Sequence, residues 1–147
     1  MTPQAARPSL RLMITPPGTA APALASDAFV RGEKRRNIEL SDFRGTWVVL
    51  AFAARHADVV ELAELEEAFA ADGAVVLAAT PDDWHQVASS FGDEPVRFPI
   101  LTSVEETTRV TLIVDPGGVV QHVGLRRSAR ETLAALEDLL LPVAIAA

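Results

Sequence analysis

The chain has 147 residues, of which 49% are hydrophobic and 22% charged, a composition typical of one globular domain rather than of a disordered chain. Its formal net charge of −7 argues against a nucleic-acid partner, because phosphate binding depends on clustered Lys and Arg. The absence of cysteine excludes disulfides, thiolate metal sites and catalysis by a thiol.

Metal, cofactor and membrane binding receive no support from the sequence. The three histidines, His56, His85 and His122, are too far apart for a zinc-binding pattern, so we expect neither a metal nor a cofactor. No apolar run reaches the roughly 18 residues of a membrane span, and no signal-peptide pattern opens the chain. We therefore expect a cytoplasmic protein without a membrane partner.

The amino-terminal residues differ in composition from the rest of the chain. Residues 1–17 include four prolines, which favours an extended segment, and residues 18–147 are predicted to form a single domain. The apolar run Leu10–Ile14 is expected to lie on an edge strand or on a partner surface.

The next segments predict a strand, a helix and a second strand. The apolar runs at 48–53 (VVLAFA) and 74–79 (AVVLAA) indicate strands buried on both faces. Between them a helix is predicted to begin at Asp58 and to end at Asp72 and Gly73, with Leu62, Leu65 and Phe69 on its apolar face. This order implies a right-handed parallel crossover.

The second half of the chain predicts a helix, a hairpin and a final helix. A helix is expected from residues 81–83 to about residue 91, followed by an extended piece at 96–101. Strands at 110–114 and 119–123 flank a turn at 115–118, which the sequence DPGG predicts to be type II, with or without a bulge at Gly118. Ser128 and Glu131 form a capping box for the last helix, whose predicted apolar face comprises Leu133, Leu136, Leu139 and Leu140.

Several blocks, in order, resemble one family. They are GTAAPAL at 18–24, IELSDFRGTWVVL at 38–50, ELEE at 64–67, FPIL at 98–101 and RVTLIVD at 109–115. These blocks are similar to those of peroxiredoxins of the alkyl hydroperoxide reductase and thiol-specific antioxidant group. The resemblance implies an α/β, thioredoxin-like (peroxiredoxin-type) fold, with a mixed central sheet flanked by helices.

The resemblance also locates a candidate site and shows that its chemistry is missing. Without a gap, the family signature PxxxTxxC places proline on Ala54, threonine on Asp58 and the peroxide-attacking cysteine on Glu61. The arginine that binds peroxide in the family falls on Arg109. We therefore expect no thiol peroxidase activity.

Glu61 has two interpretations that can hold together. In the first turn of its helix and near Arg109, it would stay ionised and imitate the charge of an oxidised cysteine. Alternatively, Asp58 caps the helix and Glu61 reaches back to the Asp58 amide. Arg109 would then form a structural ion pair with Glu61 or bind an anionic ligand.

Other polar and aromatic residues receive simpler interpretations. His56 either faces solvent or transfers protons. Trp84 is expected to anchor packing or an interface, and Asp82 and Asp83 are expected to cap the helix that follows.

The sequence leaves two functions open. One is a domain without catalysis that acts as a homodimer or by binding another protein. The other is an enzyme that uses Arg109 with Glu61 or His56 on a small anionic substrate. The family resemblance alone would assign an antioxidant or oxidoreductase role.

Overall fold

The fold is built around a mixed sheet. The computed structural model describes residues 16–21, 23–30, 36–92, 96–105, 108–125 and 128–141. The strands found there are β1 Ala25–Phe29, β2 Arg36–Glu39, β3 Trp47–Phe52, β4 Ala74–Ala79, β5 Ile100–Leu101, β6 Val110–Val114 and β7 Val120–Leu125. Their order is β2-β1-β5-β4-β3-β6-β7, with β3, β4 and β5 parallel and every other neighbouring pair antiparallel. The predicted α/β class and the parallel pairing of β3 with β4 are confirmed.

The α-helices in the described ranges are α1 His56–Glu64, α2 Glu66–Ala71, α3 Trp84–Phe91 and α4 Ala129–Leu140, and a short 3-10 helix spans Leu40–Phe43. The prediction of one helix beginning at Asp58 is wrong in two respects. The helix begins at His56, and it is interrupted at Leu65, where the backbone reaches φ −104° and ψ 6°. The Leu65 N–H then bonds the Leu62 carbonyl at 3.1 Å, a tightened turn after which α2 buries Phe69 completely.

The two faces of the sheet are covered differently. The buried side chains of the four α-helices join one core cluster, together with alternate strand residues such as Val49 and Ile113. The intervening strand residues, among them Leu50 and Leu112, face a second cluster that includes Leu40 of the 3-10 helix. Both clusters leave the inner strands almost unexposed, which explains the uninterrupted apolar runs that predicted β3 and β4.

The hairpin and the last helix match the sequence in outline. Ser128 and Glu131 form the predicted capping box, but Leu140 is 37% exposed and so lies outside the buried face of α4. The predicted type II turn is wrong, because the positive φ occurs at Gly118 (+85°) rather than at Gly117. The positive φ at Gly118 fits the bulge predicted there, and the Gly118 N–H closes the turn by donating to the Asp115 carbonyl at 2.9 Å. The register shift of the β6–β7 ladder lies farther along, where Gln121 is the extra residue.

Some predictions fall outside the described residues. They concern the run Leu10–Ile14 and the apolar tail at 141–147, which the sequence predicts to pack against this domain or a second copy and of which only Leu141 is described. Within the described ranges, no helix combines the length and the apolar character that crossing a membrane would require.

Candidate functional site

Ala54, Asp58, Glu61 and Arg109, the four residues predicted from the sequence, line one cavity. Phe52 pairs with Val110, so the end of β3 lies beside Arg109, the residue immediately before β6. After β3 the backbone enters the left-handed region at Ala53 (φ +53°) and turns into α1. The sheet therefore brings together residues that are about 50 positions apart in the sequence.

Asp58, and not Glu61, pairs with Arg109. The Arg109 Nη2 donates to Asp58 Oδ1 at 2.6 Å, and Nε donates to Oδ2 at 3.1 Å, the two-pronged geometry that a planar guanidinium favours. The two side chains are 28% and 22% exposed, so water screens the pair only in part. The prediction that Glu61 pairs with Arg109 is therefore wrong, because Asp58 is the partner of Arg109.

Asp58 also bonds the start of its own helix. Its Oδ2 accepts a hydrogen bond from the Arg55 N–H at 3.0 Å, so Asp58 is the third residue of α1 and reaches back to the capping position. The predicted box, with Asp58 as the cap and Glu61 reaching back to it, is wrong because the helix begins two residues earlier.

The surroundings of Asp58 keep its carboxyl group ionised. Burial by itself would raise the pKa of Asp58, but the hydrogen bonds from Arg109 and from the Arg55 amide, with the charges of both guanidinium groups, outweigh it and lower the pKa. Asp58 therefore stays negative at neutral pH and remains bound to Arg109.

Glu61 connects two helices. It is the sixth residue of α1, in the second turn rather than the predicted first turn, and its Oε1 accepts a hydrogen bond from the Ala129 N–H at 2.9 Å. Ala129 opens α4, and the first N–H groups of a helix have no acceptor within the helix and favour a negative charge. Glu61 thus caps a helix other than its own.

The cavity that these residues enclose is small. Its volume is about 20 Å³, and its wall also includes Leu62, Thr111 and Thr132. A water molecule needs roughly 10–15 Å³ of such space and a few polar neighbours, so the cavity has the size of one water.

The other predicted residues have structural roles. Asp83 caps α3 by accepting from the Gln86 N–H at 2.8 Å. The Trp84 ring packs 6.0 Å from that of Phe29, which supports its role in packing. His56 is exposed and stacks on Phe91 with ring centres 4.7 Å apart.

Sequence reasoning missed the role of Asp58 as the partner of Arg109, although an acidic residue at a position that is threonine in the family was a usable signal. It could not foresee the Glu61–Ala129 contact, because the two residues are 68 positions apart. Among the residues that the structure describes, no group of three or more His, Asp or Glu side chains could hold a metal ion.

Comparison with known proteins agrees with this architecture. The model of the AhpC/TSA family matches residues 17–123. The reduced 2-Cys peroxiredoxin of Plasmodium vivax superimposes with a TM-score of 0.73 at 18% identity, over 83% of this chain and 94% of that one. Mycobacterium tuberculosis AhpC gives a TM-score of 0.72 at 20% identity, over 88% and 97% of the two chains.

At these identities the solved structures establish the fold, and the family model establishes membership. No curated protein sequence matches the chain. The chain belongs to the AhpC/TSA family, and it has the thioredoxin-like fold of peroxiredoxins in a sequence without cysteine.

Proposed function

We propose that this protein is a peroxiredoxin-family domain that does not reduce peroxides and that acts by association, with a second copy of itself or with another protein. The observation that carries the proposal is the small cavity at residues 54, 58, 61 and 109. Its arginine is held by Asp58, its volume suits one water, and the chain has no sulfur nucleophile.

Peroxidase chemistry needs a thiolate that peroxide oxidises and that a second thiol reduces again. In the proposed alignment Glu61 occupies the position of that thiolate, and a carboxylate cannot pass through this cycle. It supplies a constant negative charge instead, resembling a site held permanently in its oxidised form. Such a domain presents one state to its partner whatever the peroxide concentration.

A repurposed enzyme that uses Arg109 and Glu61 on a small anion receives less support. The anion would have to displace Asp58 from both nitrogens of Arg109. It would also have to enlarge a cavity of about 20 Å³. A small charged substrate gains little by replacing a carboxylate that is already held in place.

The edge strand β7 is the surface that we propose for self-association. On its outer side, Gly18 and Thr19 bond Val120 at the beginning of the strand. Within the described ranges no strand pairs with the outer side from Gln121 to Leu125, and Leu125 is 58% exposed. An open edge with an apolar end favours pairing with another strand.

The opposite edge of the sheet is less suited to pairing. Strand β2 exposes Arg36, Asn37 and Glu39, and charged side chains on an edge oppose the approach of a second sheet. We therefore propose a dimer in which two β7 strands meet antiparallel about a twofold axis.

Sedimentation velocity over a range of micromolar concentrations tests this proposal. The Leu125→Lys variant should weaken the dimer by about ten-fold or more, because it places a charge in the interface. The matched variant Asn37→Lys on β2 should leave association unchanged. A wild-type protein that stays monomeric and binds no other protein would contradict the proposal.

An assay of peroxide consumption with thioredoxin or a small thiol tests the loss of catalysis. We expect no turnover above the uncatalysed rate. Thiol-dependent turnover by the purified protein would overturn the proposal.

A further inference from the structure

A larger cavity lies at the opposite ends of β3 and β6 from the candidate site. Its volume is about 320 Å³, within the range of roughly 300–1,000 Å³ that is usual for small-molecule sites. The paired residues Val48 and Val114 contribute to its wall, whereas the small cavity adjoins the Phe52–Val110 end of the same two strands. The two cavities are therefore separate.

The larger cavity, which we call the Arg44 cavity, has a mainly apolar wall. Its apolar side chains come from the segment before β1, the 3-10 helix and the two strands: Ala21, Leu24, Leu40, Phe43, Val48 and Val114. Val48 and Val114 are each 2% exposed and Leu40 is 7% exposed, so the base of the cavity belongs to the core. A hydrocarbon group placed there would leave water for an apolar surface.

Backbone hydrogen bonds hold the walls of the Arg44 cavity in place. The Ala21 N–H donates to the Gly118 carbonyl, and the Gly45 N–H donates to the Pro116 carbonyl, each at 2.8 Å. The Leu40 N–H donates to the Leu24 carbonyl at 2.8 Å. Three chain segments are thereby joined, and a cavity formed in advance lowers the entropic cost of binding.

Arg44 is the one cation among the described residues that line this cavity. Its side chain is exposed and lies against the backbone of Gly118, where a Cβ atom would stand 2.5 Å from Nε. No carboxylate in the described part of the chain lies within ion-pair distance of its guanidinium. Arg44 thus offers an unused, planar set of donors at the cavity.

Two carboxylates line the cavity, and that of Asp115 is already bonded to backbone donors. Asp115 accepts from the N–H groups of Gly117 and Val119 and from the Gln121 amide, and these bonds, led by that from Val119, lower its pKa despite partial desolvation. The Glu39 backbone N–H donates to Asp42 Oδ2 at 3.1 Å, and no ion pair joins the Glu39 carboxylate to Arg44. Neither acid neutralises Arg44.

We propose that the Arg44 cavity binds a small amphipathic monocarboxylate, with its hydrocarbon part on the Val48–Val114 wall and its carboxylate on Arg44. A neutral apolar molecule would leave the exposed guanidinium bonded only to water, and an amine would place a second cation beside it. A carboxylate forms the charge-assisted pair that no described residue supplies. This inference does not depend on self-association or on the loss of peroxidase activity.

Calorimetric titration of the full chain tests the inference, with octanoate as the probe and octanol and octylamine as probes of the same length. Octanoate should bind, and it should bind more tightly than either of the other two. Arg44→Gln should weaken octanoate binding by about ten-fold, the loss of one charge-assisted pair. Arg130→Gln, which removes another exposed arginine, on α4, should leave binding unchanged.

Each other outcome would overturn the inference. Equal binding of octanol would indicate a merely apolar cavity, and equal affinity in Arg44→Gln would place the acid elsewhere. Binding that appears only after removal of residues 1–15 would identify the chain's own amino-terminal segment as the occupant. Octanoate affinity that falls as the protein concentration rises would identify a second copy as the occupant, and an absence of binding in every form would exclude the site.

Discussion

Replacing Asp58 by Asn keeps the shape of the side chain and removes its charge. In the wild-type protein the carboxylate accepts two hydrogen bonds from Arg109, at 2.6 and 3.1 Å, and one from the Arg55 N–H at 3.0 Å. The amide of Asn can replace one acceptor but turns its own donor towards the guanidinium. Asp58→Asn should therefore leave Arg109 partly desolvated and poorly paired.

The burial of the ion pair sets how much the free energy of unfolding falls in Asp58→Asn. Exposed ion pairs contribute about 0–1 kcal/mol, whereas breaking a fully buried pair costs about 3–5 kcal/mol. At 22% and 28% exposure the Asp58–Arg109 pair lies between these limits, and we expect a loss of about 2 kcal/mol. For a domain of this size, that loss lowers the melting temperature by about 4–8 °C.

The assay is urea denaturation of the wild type, Asp58→Asn, Arg109→Gln and the double variant. Comparing the four free energies of unfolding gives the coupling energy between the two side chains. Arg55→Gln is the control, because Arg55 is 66% exposed and its ion-pair contact with Asp58 is 3.7 Å long. It should change the free energy of unfolding by less than about 0.5 kcal/mol.

The same variants predict a dependence on pH. The pKa of Asp58 is lower in the folded state than its ordinary value of 3.8. The contribution of ionised Asp58 to the free energy of unfolding is therefore complete above pH 3.8, and it is lost as the pH falls through the lower pKa of the folded state. A difference between wild type and Asp58→Asn that is negligible at neutral pH, or that does not shrink on acidification, would refute this account of the ion pair.

Three further predictions concern Glu61 and Gly118. Glu61→Ala should lower the free energy of unfolding by about 1 kcal/mol and speed hydrogen exchange of the Ala129 amide. Glu61→Gln keeps an acceptor for that amide and should lower it by less, so equal losses would contradict the capping role. Glu61→Cys alone should show little thiol-dependent peroxide turnover, because Asp58 still occupies Arg109. Combined with Asp58→Thr, which releases the arginine, it should show more, and equal rates would contradict the idea that the ion pair keeps Arg109 from a thiolate. Gly118→Ala should cost about 1 kcal/mol in urea denaturation, because φ is +85° and the new Cβ would meet Arg44; unchanged stability would contradict this reason.

The sequence predicted most elements because their signals were local. The apolar runs that became β3 and β4 and the Ser128 capping box each lie within a few consecutive residues. The β1–β2 hairpin was not predicted, because Ala25–Phe29 contains polar residues and resembles a loop as much as a strand.

The residues predicted for the candidate site lie together in the structure, but the pairing between them was not predicted. Matching the family signature identified Asp58, Glu61 and Arg109, and all three line the same cavity. The pairing depended on where α1 begins, and the actual start at His56 puts Asp58, rather than Glu61, within reach of Arg109. Errors of two residues at a helix terminus are common and change which side chains meet.

The hydrogen bond between Glu61 and Ala129 also constrains the order of folding. Ser128 caps α4 from an adjacent position, so the helix can start to form locally. The Ala129 N–H, however, obtains its acceptor from a residue 68 positions earlier, after β3, β4 and β6 have aligned α1 with the end of the chain. Closing so long a loop is slow, and we therefore expect the carboxyl-terminal helix to dock late, as the step that completes the native state.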